Sequence, residues 1–233
     1  MALPKLNTPT YELDLPSTGE KIKFRPFLVK EQKLLLIAQE SEDDKQIMET
    51  MQKLVGSCTF GKIDAIVSPL FDIEYVFLKL RSKSVGSKIK VNILCPDDEE
   101  TQVPVDIDLD EVECQMTEDH TNVIKITDKV KMVMGYPQLL HLHNLKEMKA
   151  ADTFKLVSKC VNEIHDGDTI HNRVDIKDKE LEEFVDQMDT KQLQRIMDFF
   201  ETMTKIRHVV SVTNPNTKVT SDVTIEGMNN FLE

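Results

Sequence analysis

At 233 residues and 40% hydrophobic, with seven glycines and nine prolines, the chain has the composition of a folded protein and not of a disordered one, long enough to bury one substantial core or two small ones. A formal net charge of −12 argues against nonspecific DNA binding, which needs Lys and Arg to neutralise phosphates, and against anionic membrane surfaces. A basic protein partner stays compatible, and the longest apolar run, Leu34–Ala38, is far too short to span a bilayer.

Met1-Ala2-Leu3-Pro4-Lys5 runs straight into polar sequence, so no secretory signal is expected. Cys58, Cys95, Cys114 and Cys160 are scattered and read as free thiols of a soluble cytoplasmic protein. Met1–Pro9 reads as a loose arm. Tyr11, Leu13 and Leu15 alternate, Pro16–Gly19 turns, and Ile22 and Phe24 resume the alternation, which predicts an N-terminal hairpin. Leu34, Leu35, Ile37 and Ala38 then form a helix face running into the acidic Glu40–Asp44, and Phe24, Phe27, Leu34 and Ile37 are expected to cluster. A second helix carries Ile47, Met48, Met51, Leu54 and Val55 and is expected to end at Gly56.

Ser68-Pro69 predicts a capped helix start, and apolar residues from Leu70 to Leu80 occupy more than one stripe, so this helix should be buried on most of its circumference. Ile89, Val91 and Ile93 alternate with Lys88, Lys90 and Asn92. The acidic tip Pro96–Glu100 then turns into Val103, Val105, Ile107 and Leu109. Val123, Ile124 and Ile126 pair with Val130, Met132 and Met134 across Thr127-Asp128-Lys129. Helices are expected at about Gln138–Lys149 and Asp152–Ile164, the latter with Phe154, Val157, Cys160, Val161 and Ile164 on one face. Asp166-Gly167-Asp168 is a turn, Thr169–Ile176 is extended, and helices follow around Leu181–Met188 and after the cap at Asp189-Thr190. The final helix stripe, Leu193, Ile196, Met197, Phe200 and Met203, leads into Val210 and Val212, a turn at Asn214-Pro215-Asn216, and Val223, Ile225 and Met228. Met228, Phe231 and Leu232 have the spacing of one short helical turn that must dock to be stable.

Helix, hairpin and turn thus occur twice. Ile93-Leu94-Cys95-Pro96 aligns with Val212-Thr213-Asn214-Pro215, and Asp106–Asp110 aligns with Asp222–Glu226. The expected fold class is α+β, mainly helical with antiparallel β-hairpins, with two similar helix–hairpin modules in one compact chain. Residues 1–115 are expected to hold the N-terminal hairpin, helices and first module, and residues 116–233 a helical region with the second.

Motif chemistry is sparse. Cys-Pro at a hairpin tip suggests a zinc ribbon, but tetrahedral coordination needs closely spaced ligand pairs, and Asp98, Asn214 and Thr217 stand where the other three would be. A metal-dependent protein or enzyme using Cys95, Cys114 and His120 is the rival from another class. Asp106-x-Asp108-x-Asp110 opens like a calcium loop but lacks its Gly and its twelfth-position Glu, so these acids read as a solvated strand face. His141 and His143 diverge on a helix, while His165, His171 and His208 match no motif spacing. There is no Gly-rich phosphate loop, nucleophile elbow or His-Glu-x-x-His. The expected sets of catalytic, cofactor-binding and metal-binding residues are therefore empty. Eleven methionines and the Phe199-Phe200 pair leave an apolar excess suited to core and to adaptable protein contacts.

Leu15-Pro16-Ser17-Thr18-Gly19-Glu20-Lys21-Ile22-Lys23-Phe24-Arg25-Pro26-Phe27 with Lys30-Glu31 resembles the opening of the T-even-type phage tail baseplate proteins of the hub and hub-assembly group. Cys160-Val161-Asn162-Glu163-Ile164 also resembles that group, as does the block from Glu183-Phe184 through Phe199–Met203 to Ile225–Phe231. The resemblance implies relatives that often carry Cys-Pro-x-Cys knuckles at both hairpin tips, where this chain keeps only Cys95-Pro96 and Asn214-Pro215. The resemblance implies a non-enzymatic structural or assembly component of a contractile tail baseplate, made late in infection and needing no cofactor. Implied partners are other baseplate hub, wedge or tail proteins, with a homo-oligomer left open, and with neither nucleic acid nor membrane. Implied localisation is the host cytoplasm during assembly, with the virion tail or a chaperone role outside it both left open.

Overall fold

A computed structural model describes residues 6–41, 43–142 and 150–227. Most of the arm Met1–Pro9, part of the helix expected at Gln138–Lys149, with His143, and the turn expected at Met228–Leu232 lie outside them. The chain divides into two units, one from residues 1–115 with 204–233 and the other from residues 116–203.

In the first unit β1 (Tyr11–Asp14) pairs antiparallel with β2 (Lys21–Phe24), Leu13 opposite Ile22 and Tyr11 opposite Phe24. Alternation buries Leu13, Ile22 and Phe24 and leaves the lysines outside. α1 (Val29–Ser41) and α2 (Asp44–Cys58) follow, and the side chain of Asp43 caps α2 by accepting from Lys45 N. α2 runs through Gly56, where a stop was expected. The chain leaves the helix at Thr59, whose hydroxyl and N–H both bond Val55 O, and turns at Phe60 and Gly61, both at positive φ. The left-handed residues that end this helix therefore sit four and five positions later than the glycine signal.

α3 (Leu70–Ser84) is buried on most sides, as its apolar spacing predicts. Its cap is Pro69 with no side-chain bond, not the Ser68 hydroxyl. β3 (Lys88–Leu94) and β4 (Gln102–Asp108) form a seven-pair hairpin that buries Ile89, Val91, Ile93 and Ile107. β5 (Glu113–Gln115) is the third strand of a sheet of order β11-β10-β5. There β10 (Lys205–Thr213) pairs with β11 (Thr220–Glu226) on one side and, through Ile206 opposite Cys114, with β5 on the other. That second pairing joins residues from 204 onward to the first 115. Leu78 of α3 and the inner faces of both hairpins form one core with Leu109, Val112, Ile206, Val212 and Ile225.

In the second unit β6 (Val123–Lys125), β7 (Val130–Met134), β8 (Val161–Asp166) and β9 (Thr169–Asn172) form an antiparallel sheet in sequence order. The helices are α4 (Leu139–Leu142), α5 (Ala150–Lys159), α6 (Asp178–Asp186) and α7 (Thr190–Thr202). Asp189 and Gln192 cap α7 reciprocally, a capping box. The helix expected over Asp152–Ile164 is corrected here: it stops at Lys159, and Val161 and Ile164 belong to β8. Val157, Cys160, Val161 and Ile164 satisfy a helical period, yet the β-branched residues beside the Asp166–Asp168 turn pair with β7 and β9 instead. At Gly135, at the end of β7, a Cβ would sit 2.7 Å from Asn162 Oδ1, so any larger residue there would have to displace that exposed amide. The described chain is mixed α+β, with strands nearly matching helices, and not mainly helical.

Candidate functional site

Asp98, Asn214 and Thr217, which stand where the other ligands of a ribbon would be, meet at the two hairpin tips of the first unit, but as a hydrogen-bonded bolt. Asn214 is fully buried. Its Nδ2 donates to Asp97 Oδ1 and Oδ2 at 3.1 Å and to Asp98 Oδ2 at 2.8 Å. Its Oδ1 accepts from Asn216 N at 2.8 Å and Thr217 N at 3.4 Å, an Asx turn that holds its own tip. Thr217 Oγ1 donates to Asp97, and Asn216 Nδ2 donates to Thr101 Oγ1 at 3.0 Å. Asp98 closes the other tip by accepting from Thr101 N, Thr101 Oγ1 and Glu100 N.

The two tips share a backbone pattern. Glu99 N bonds Cys95 O, and Lys218 N bonds Asn214 O, each at 2.9 Å, with Glu99 and Lys218 both at positive φ (54° and 67°). The closing bonds are Cys95 N to Thr101 O and Asn214 N to Val219 O, so the first tip holds one extra residue.

Electrostatics follow from these bonds. Thr101 and Asn214 hold the Asp98 carboxyl well below the usual carboxylate range, and Thr217 and Asn214 lower Asp97. Burial, with both carboxylates nearby, pushes the Cys95 thiol up. Burial also pushes Cys114 and Cys160 up to about 12. Burial therefore disfavours the thiolate that a cysteine nucleophile must be. Cys95 and Cys114 belong to the first unit and His120 to the second. Among the described residues no group of three or more His, Cys, Asp or Glu is placed to hold a metal ion, and no helix is long and apolar enough to cross a membrane.

His120 is held structurally. Thr202 Oγ1 donates to Asp198 O at 2.8 Å, so it accepts from His120 Nδ1 at 3.0 Å. His120 Nε2 then accepts from the Tyr136 hydroxyl at 3.2 Å, with the ring against Phe199. Burial lowers its pKa, which favours this neutral ring. His165 bonds Glu163 at 2.7 Å, and His141 Nδ1 lies 3.3 Å from Gln138 N. The acids Asp106 and Asp110 pair with Lys90 and Lys83, and Asp108 accepts from Asp110 N.

The opening motif builds a second node. Arg25 Nη2 and Nη1 donate to Glu31 at 2.8 and 3.3 Å, and Leu28 N donates to the same carboxylate at 2.6 Å. Ser57 of α2 adds a bond at 3.3 Å, and Arg25 N donates to Cys58 O. Burial alone would raise the Glu31 pKa; the Arg25 and Leu28 bonds outweigh it, and the carboxyl ends below its usual range. Ser17, at the turn of the first hairpin, donates to the buried Asp72 of α3 through its N–H at 2.9 Å and through its hydroxyl. Phe27 N donates to Ser84 Oγ at 2.9 Å, tying the motif to the end of α3. Lys79 was not singled out by sequence. Burial lowers its pKa, and its Nζ donates to Leu109 O, Asp110 O and Val112 O at 2.9–3.0 Å, locking the chain between β4 and β5. Nothing local marks it, because a lysine on a helix normally faces water. Asp97 and Asn216 were placed at their tips by sequence, but nothing local foretold that they bond across from one tip to the other.

Against known proteins, a family model described as T4 bacteriophage base plate protein matches residues 8–233. No curated protein and no solved structure matches the chain.

Proposed function

The chain belongs to the T4 bacteriophage base plate protein family, and from that membership we propose that it is a non-catalytic part of the contractile tail's baseplate hub, acting through protein–protein contacts. The observation that carries the reading is the span of the family match, residues 8–233. Two features support it. Of the side chains an enzyme would have drawn on, Cys95 and Cys114 are thiols that burial holds toward the protonated form, and both ring nitrogens of His120 are engaged by Thr202 and Tyr136. The polar groups at the hairpin tips are likewise consumed in joining the tips. The partners on this reading are other hub, wedge or tail proteins, met in the host cytoplasm as late proteins are made. The protein either stays in the virion or acts as an assembly chaperone absent from it.

The shared tip geometry supports reading the two hairpins as copies of one module. The helices before them differ: α3 lies in the same unit as its hairpin, whereas α7 lies in the other unit from β10.

Mass spectrometry of purified virions, with co-purification from infected cells, tests the assignment. Defined baseplate partners at fixed stoichiometry are expected, and presence in virions separates structural part from chaperone. A protein bound to no tail component in either preparation refutes the proposal.

A further inference from the structure

α1 carries two opposed stripes. Glu31, Leu35 and Ala38 turn inward, with Glu31 and Ala38 buried and Leu35 half-buried. At about 100° per residue, the stripe diametrically opposite consists of Val29, Lys33, Leu36, Ile37 and Glu40. All five are exposed, Val29 at 68%, Leu36 at 52% and Ile37 at 53%. Leu36 and Ile37 adjoin on this outward helix face, with Val29 two turns away on the same side, an exposed apolar centre of the kind that marks an interaction site.

The charges on the same stripe indicate what covers it. Around the helix, Lys33 and Glu40 lie on the midline of the stripe, with Leu36 to one side and Ile37 to the other. Along the helix, they lie equally far from the Leu36–Ile37 midpoint, about 5 Å each way. A two-fold axis through that midpoint, perpendicular to the helix, lays a second α1 antiparallel to the first. Each Leu36–Ile37 pair then faces its counterpart, and each Lys33 meets the other copy's Glu40. That self-complementarity is what an isologous interface requires. A parallel arrangement would instead oppose lysine to lysine and glutamate to glutamate.

We infer that the protein self-associates through α1 as an antiparallel two-fold dimer, centred on Leu36 and Ile37 and registered by Lys33 and Glu40. One helix pair covers less than the roughly 1,200 Å² at which stable interfaces begin, so the dimer is concentration-dependent and not permanent. The inference rests on α1 alone and is independent of the baseplate assignment.

Sedimentation velocity of the full chain over a concentration series tests it, with circular dichroism to confirm that each variant is folded. Wild type should show a monomer–dimer equilibrium, and Leu36→Asp, at an already exposed position, should abolish the dimer without unfolding the chain. Lys33→Glu alone and Glu40→Lys alone should each weaken self-association at least tenfold. An equimolar mixture of those two variants should regain it as a heterodimer, because the mixed pair restores opposite charges at both contacts. A wild type that stays monomeric throughout, a dimer indifferent to Leu36→Asp, or single variants that do not recombine on mixing would each overturn the inference. A monomer found in virions with defined partners would overturn it while leaving the proposed function standing.

Discussion

Replacing Arg25 with Met removes the cation from the Glu31 carboxylate while keeping most of the aliphatic bulk. Both side chains are largely buried, 14% and 6% exposed, so Glu31 would keep only the Leu28 N–H, the Ser57 hydroxyl and the distant Lys30 ammonium at 3.7 Å. Removing one member of a buried pair strands the other charge and costs about 3–5 kcal/mol. With a urea m-value of about 2 kcal/mol/M, that moves the unfolding midpoint down by roughly 1.5–2.5 M. Arg25→Met/Glu31→Leu should recover much of the loss, because no charge is left to strand, although Leu28 N loses its acceptor. The sign with pH is definite. The Glu31 pKa is lowered in the folded wild type, so its contribution is present above the ordinary carboxyl pKa and is lost as pH falls through the folded value. In Arg25→Met the stranded carboxyl protonates more readily, so the gap between variant and wild type should begin to narrow above the ordinary carboxyl pKa and keep narrowing as pH falls to the lowered wild-type value. A single variant within about 1 kcal/mol of wild type at neutral pH, the range of exposed pairs, would refute the argument that this pair is a buried clamp.

Phe24, 2% exposed and 5.6 Å from the Tyr11 ring, should cost about 3–5 kcal/mol on replacement by Ala, read as a urea midpoint. Lys79→Met leaves three carbonyls of the Leu109–Val112 segment without their donor, and a loss of about 1–3 kcal/mol by the same assay is expected. Asn214→Asp sets a third carboxylate against Asp97 and Asp98, so the variant should be less stable than wild type at neutral pH and converge on it in acid. A uniform deficit at all pH values would mean that geometry, not charge, is at fault. For His120 the folded pKa is lowered by burial, so the unfolded chain binds the proton more readily. Stability should therefore fall as pH drops from about 7 to about 5.5, and that slope should flatten in His120→Gln.

Much of this architecture is written locally. The alternation in Tyr11–Phe24 and Lys88–Asp108, the apolar girdle of α3 and the capping residues of α7 each depend on a few neighbouring side chains, and each appears where its pattern places it. The Val157–Ile164 stretch fails because its spacing suits two periods, and only pairing with β7 and β9 selects strand. α1 fails differently. Its helix is legible, but Leu34 and Ile37, expected beside Phe24 and Phe27, are about half exposed, because the Arg25–Glu31 clamp turns Glu31 and Ala38 inward. Absence of a zinc pattern at the tips was readable from Asp98, Asn214 and Thr217. The bonding of Asn214 and Thr217 to Asp97, across 117 and 120 residues, and the pairing of β10 with β5 were not. Periodicity and turn chemistry act over a handful of residues, so local sequence determines most elements and their apolar faces, except where one spacing, as at Val157–Ile164, suits two periods. Which of those faces meet, and which polar group is satisfied by which distant partner, is decided only when the folded chain closes those loops and removes the groups from water.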